Sequence, residues 1–185
     1  MTNETLKLIA SRRSHRAYES TPLTEEQLSA LLDAAVASPS AVNRQPWHFV
    51  VVRDAALIDA MDAEVHNTVM KREESARSPR FLDPAFHVFY HAPCVIFILG
   101  KKNNIWTQLD CGIAVENIAL AAESIGLGSV ILGMPRDAFA GDRKQEFLSA
   151  LNAAEDEEFA IAIAVGTPTD TKPAHPVGEN KITIL

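Results

Sequence analysis

The segment TQLDCGIAVENIALAAESI, residues 107–125, constrains the fold more than any other. Between Cys111 and Ala122 only Gly112, Glu116 and Asn117 interrupt an apolar run. A helix that is apolar on most sides needs cover on most sides. This one therefore belongs at the centre of a layered structure or at a subunit interface. Gly126 and Gly128 follow and end it. The chain can provide the cover: 47% of its 185 residues are apolar. That length suits one domain, spanning residues 1–185.

The other segments supply the layers. Residues 2–10 suit a short helix. In LTEEQL, Thr24 and Gln27 have the spacing of a capping box, with Leu23 and Leu28 at the staple positions. Leu28, Leu31, Leu32, Ala35 and Val36 continue the helix until Pro39 stops it. WHFVVVR, CVIFILG, SVILGM and FAIAIAVG read as buried strands. Asp54 caps a helix running to about Glu74, and further helices are expected near 84–90 and 137–151. ESARSPRFLDP reads as a surface loop, and KITIL alternates like a strand. The order of helices and strands predicts a layered α/β or α+β architecture, with helices covering the sheet.

A net charge of −7 argues against general binding to nucleic acid or anionic membranes. The N-terminus lacks a signal-like apolar stretch, and CVIFILG is too short to span a bilayer. A soluble cytoplasmic protein is expected. Cys94 and Cys111 form no CxxC, and read as buried thiols of a reduced compartment.

Three stretches invite chemistry. SRRSHR gathers Arg12, Arg13, Ser14 and Arg16 in an otherwise acidic chain. Arginine forks and a hydroxyl suit an anion such as phosphate. The same charges also suit a solvated loop paired with carboxylates. SPSAVNRQPWHF packs prolines, Asn43, Gln45 and Trp47 into one turn. Its amides offer donors and acceptors that match a flavin ring edge, or simply cap the backbone of a packed turn. His87, His91 and Cys94 lie close in sequence, but no HExxH or second ligand pair accompanies them, and no metal site is expected. GxGxxG, the Walker sequence and GxSxG are absent.

Taken together, SRRSHRAY, SPSAVNRQPWHFVVV and DCGIAVENIALAAESIGLGSVILG resemble the FMN-dependent nitroreductase family. Their order and separation match, and they span most of the chain. The resemblance implies an α+β fold with a central, mostly antiparallel sheet flanked by helices. It also implies a homodimer with one FMN in each of two interfacial clefts. By the same resemblance, Arg12, Arg13, Ser14 and Arg16 hold the phosphate, ribityl and ring-edge groups. Pro39, Ser40 and Asn43 reach the flavin of the partner subunit. Leu132 and Gly133 offer backbone near the other part of the ring. Asp110 and Asn117 match positions on the central helix and serve packing and the interface. The family's C-terminal Gly-Tyr-Pro and basic residue are replaced by GTPTDTKPAHP, where Lys172 and His175 are the basic candidates.

The implied activity is hydride transfer from NADH or NADPH through FMN to a nitroaromatic, quinone or similar small acceptor. The cofactor would carry the reaction, so no catalytic side chain is named. A dehalogenase or flavin-fragmenting enzyme on the same fold, and a flavin-binding protein without turnover, are the alternatives.

Overall fold

A computed structural model describes residues 3–184. Four strands form one antiparallel sheet: β1 (Trp47–Val52), β2 (Cys94–Lys101), β3 (Gly128–Leu132) and β4 (Glu157–Gly166). Their spatial order is β1-β2-β4-β3, so β2 and β4 are central. This is the α+β architecture expected from the sequence.

The apolar strands are explained by cover on both faces. On β2, Val95, Phe97 and Leu99 face one core, while Cys94, Ile96 and Ile98 face another. The first core is closed by α3 (Ala55–Met70), α5 (Lys144–Ala150) and the turns between residues 86 and 92. The second is closed by α4 (Thr107–Ser124) and, against it, α2 (Glu25–Val36). A short α1 (Glu4–Ser11) precedes them.

Helix α4 is the central helix of its layer. Cys111, Val115, Ile118, Ala119 and Ala122 are buried against the sheet and α2. Leu109 and Ile113, with Trp106 just before the helix, remain exposed, so the chain leaves one apolar side uncovered. The helix ends as its glycine suggests. Gly126 adopts φ +76°, the Gly126 N–H donates to Glu123 O, and the Leu127 N–H donates to Ala122 O. This is a Schellman motif. The capping box of α2 also forms, with Thr24 and Gln27 each bonding the other's backbone N–H.

Three local expectations are corrected. Residues 84–90 form tight turns rather than a helix, with Tyr90 and His91 both at positive φ. The segment 137–151 is split into a 3-10 turn (Met134–Phe139) and α5, with Gly141 between them. A side chain at Gly141 would collide with the buried Glu64 carboxylate, so the chain turns there. Residues 181–184 of KITIL are exposed and pair with no strand; Leu185 lies outside the described residues.

Cys94 and Cys111 are free and buried. Burial pushes their thiols up to about 11 and about 12 respectively. No helix among the described residues is long and apolar enough to cross a membrane.

Ile118 is fully buried at the centre of α4. Ile118→Ala should lower unfolding stability by about 2–5 kcal/mol in urea titration, through lost burial and an unfilled cavity. A loss below about 1 kcal/mol would contradict the central packing of this helix.

Candidate functional site

The polar exceptions on α4 hold the turn between α2 and β1. The Ala41 N–H donates to Asp110 Oδ1 at 3.1 Å. The Asn117 side-chain amide donates to Ser38 Oγ at 2.9 Å and to Ala34 O at 3.4 Å. Within the turn, the Gln45 N–H donates to Ser40 Oγ at 2.9 Å, and the Gln45 side chain donates to Asn43 Oδ1 at 3.1 Å. Pro39, Val42 and Asn43 nevertheless stay exposed.

The backbone here is strained. Val42, Asn43 and Gln45 have φ of 47°, 54° and 48°. For β-branched Val42 this is unusual, and such a residue costs on the order of 1–3 kcal/mol. Trp47 is half-buried and packs on the second core beside Phe49, so the aromatic of this stretch is structural.

The arginine segment lies along the other side of the sheet. Ser14 makes a parallel bridge to Ser129 on the edge strand β3, with the His15 N–H donating to Ser129 O at 3.0 Å. Gly128 makes this approach feasible: a Cβ there would lie 2.7 Å from Pro168 and 2.9 Å from the His15 ring. The two glycines of the GLG stretch thus have different roles. Gly126 supplies a backbone angle, and Gly128 supplies space.

The four sequence-selected residues of this segment differ in their engagement. Arg13 donates to Ala10 O and Arg12 O, closing the end of α1. Arg12 faces Glu116 of α4 at 3.5 Å. Arg16 is exposed, touches Ser14 O at 3.2 Å, and lies over the Tyr90 ring at 5.8 Å. Most of its five donors therefore have no protein partner among the described residues. Leu132 is buried at the end of β3, and Gly133 follows it exposed, with open space where a side chain would stand.

Asp170 organises this side, and the sequence search missed it. Its carboxylate accepts the Arg16 N–H at 3.0 Å and lies 2.7 Å from His15 Nδ1 and 3.1 Å from Lys172 Nζ. Of the two basic candidates in the C-terminal stretch, Lys172 thus joins the arginine segment, whereas exposed His175 makes no hydrogen bond or ion pair among the described residues. Tyr18 donates its hydroxyl to His15 O at 2.7 Å. Burial, reinforced by Asp170, raises the Tyr18 pKa. The only sequence signal for Asp170 was its place within GTPTDTK, where attention to cations hid the anion that holds them.

The turn 39–43 and the segment 12–16 do not meet. The turn leads into β1 and the segment borders β3, the two opposite edges of the sheet. No hydrogen bond or ion pair joins them among the described residues. One edge therefore presents a rigid amide-bearing turn, and the other an exposed guanidinium with an ordered Lys172.

An antiparallel sheet between two helical layers defines the class as a small α+β protein. Residues 9–167 match the Nitroreductase family, and the chain belongs to that family. A protein of Archaeoglobus fulgidus provisionally named an NADH dehydrogenase/NAD(P)H nitroreductase is 34% identical over 91% of this chain and 88% of its own. A nitroreductase from Desulfitobacterium hafniense, solved with bound FMN, is 35% identical, with TM-score 0.94 over the whole of both chains. A nitroreductase from Bacteroides fragilis, also with bound FMN, is 26% identical, with TM-score 0.90 over the whole of both.

Burial pushes Asp170 up, but the Arg16 N–H, His15 and Lys172 outweigh it and hold the carboxyl below its usual 3.8. A depressed native pKa adds stability above the unfolded-state pKa, lost as pH falls through the native value. Asp170→Asn should cost about 1–3 kcal/mol in urea unfolding near pH 5. The gap to the wild type should narrow as pH is taken below 3.8. A gap unchanged on acidification would contradict this role.

Proposed function

We propose that this protein is a single FMN-binding domain that works as an NAD(P)H-dependent flavin oxidoreductase. The observation that carries the reading is the convergence of the Arg16 N–H, His15 and Lys172 on Asp170 beside Ser14, which bridges to the edge strand β3. A guanidinium with free donors, an ammonium and a hydroxyl suit a terminal phosphate and polar ribityl groups. Arg12 lies beside them, and Arg13 orders the segment by closing α1. Leu132 contributes backbone, and the open space at Gly133 lets a flat ring approach closely.

The second half of the site is proposed to come from a second copy of the chain. Pro39, Ser40 and Asn43 sit on a strained turn at the far edge of the sheet, where they cannot meet Arg16 of their own chain. The uncovered side of α4, with Leu109 and Ile113, offers apolar surface for a homodimer. In a two-fold dimer each site then takes one segment from each subunit. Holding the turn rigid in advance limits the ordering cost when the ring binds.

The chemistry supplied by bound FMN is acceptance of hydride from NADH or NADPH and its delivery to a nitroaromatic, quinone or similar small acceptor. The chain's own groups bind and orient. No side chain of the site need act as acid or base, because solvent can provide the proton. Cytoplasmic location is part of the proposal and fits two buried, unpaired thiols.

The protein should bind one FMN per chain. Arg16→Ala should remove a charge-assisted contact of about 1.5–3 kcal/mol, a roughly 10- to 150-fold loss of FMN affinity. Fluorescence titration measures it, with circular dichroism to confirm the fold. With excess NADH or NADPH under argon the flavin colour should bleach, and a quinone should restore it. Unchanged FMN affinity would return the arginine segment to a solvated surface. Bleaching no faster than that of free FMN would remove the enzymatic reading.

A further inference from the structure

A second cluster is built from residues that the proposed flavin contacts do not use. Asp59 projects from the first half of α3, while His87 and His91 come from the turns before β2. Donor atoms of the three lie within 4.8 Å of one another. Asp59 Oδ1 is 3.1 Å from His87 Nε2, and the two imidazole rings are 4.2 Å apart between centroids. They border a pocket of about 330 Å³, with Ser20, Pro22 and Arg53 on its other walls.

Four residues apart, His87 and His91 would share a face of a helix, but no helix forms there. Two consecutive residues, Tyr90 and His91, instead adopt left-handed φ of 54° and 52°. For bulky residues this conformation is unfavourable, and here it folds His91 back over His87. The sequence reading found no further ligand because Asp59 lies 28 positions before His87.

We propose that Asp59, His87 and His91 form a binding site for a divalent transition-metal ion of the zinc type. Two neutral imidazoles and a carboxylate are a donor set that such ions favour. Tetrahedral coordination at about 2.0–2.1 Å requires donors roughly 3.4 Å apart. Asp59 and His87 already meet this, and exposed His91, its donor within 4.8 Å of the other two, has to swing in by no more than about 1.4 Å. The Phe89 N–H donates to His87 Nδ1 at 3.2 Å, which places the His87 proton on Nε2, facing Asp59. The ion replaces that proton.

The ring proton then moves to Nδ1, which no longer accepts the Phe89 N–H, and a second carboxylate has to close in to take the proton. Asp62 Oδ1 is 3.9 Å from His87 Nδ1 and is fixed by the Val88 N–H at 2.6 Å. A carboxylate behind a ligating histidine orients the ring and raises its basicity. The nearby Arg53 does not oppose the ion with an unpaired charge, because its guanidinium donates to Glu25 at 2.6 Å. Three protein ligands leave at least one coordination position open to the pocket, for water or a small anion.

The test is a Zn²⁺ titration of the chelator-treated 185-residue chain by calorimetry. One equivalent per chain should bind with micromolar or tighter affinity. Asp59→Asn and His91→Ala, both at exposed positions, should each weaken it at least about tenfold. His175→Ala should leave it unchanged. FMN affinity, measured in parallel, should be the same in all four proteins, which separates this site from the flavin reading. Binding no tighter than millimolar, binding that survives both ligand variants, or binding that His175→Ala abolishes would overturn the proposal.

Discussion

The structure depends on how α4 is held. Its apolar residues fix it to one face of the sheet, and its few polar residues are then available at defined positions. Asp110 takes the Ala41 N–H, and Asn117 takes Ser38, so the turn before β1 inherits the rigidity of the core. Further along, Glu116 faces Arg12 and Glu123 accepts from Ser11, so the arginine segment is referenced to the same helix. One buried helix thus sets the position of both proposed half-sites. A charged or amide side chain within an apolar helix is costly unless it is bonded. Here the bonds made by Asp110 Oδ1 and the Asn117 amide also place the loops, while Asp110 Oδ2 is buried with no partner among the described residues.

The legible parts of the fold were those set by local or two-sided patterns. The capping box at Thr24 and Gln27 is a contact across three residues, and it forms as read. β2 and β4 read as continuous apolar runs because both of their faces are covered. The failures are tertiary. A helix was expected at 84–90, but Asp62 captures the Val88 N–H and Asp59 meets the His87 ring, which favours turns instead. KITIL alternates convincingly, yet alternation makes a strand only where an edge is available to pair with it.

The candidate site was legible to a similar degree. SRRSHR and SPSAVNRQPWHF were visible as unusual local chemistry, and each makes defined hydrogen bonds in the fold. Their division of labour was not visible. Arg13 closes a helix while Arg16 stays exposed, and only the three-dimensional positions of the Ala10 carbonyl and Tyr90 distinguish them. Asp170 was hidden for a physical reason. A carboxylate that orders a cationic site has no periodicity and no motif; its meaning comes from the three groups that converge on it.

The proposed function requires a site completed across a two-fold interface, since the two proposed segments lie at opposite edges of one sheet. Subunit mixing tests it most directly. Arg16→Ala and Asn43→Ala should each leave a stable dimer with little NAD(P)H–quinone activity. Unfolded and refolded together in equal amounts, half of the dimers should be mixed, each with one site intact and one doubly altered. Activity should recover to roughly a quarter of the wild-type value by this symmetry. No recovery from variants shown to exchange subunits would contradict the shared site.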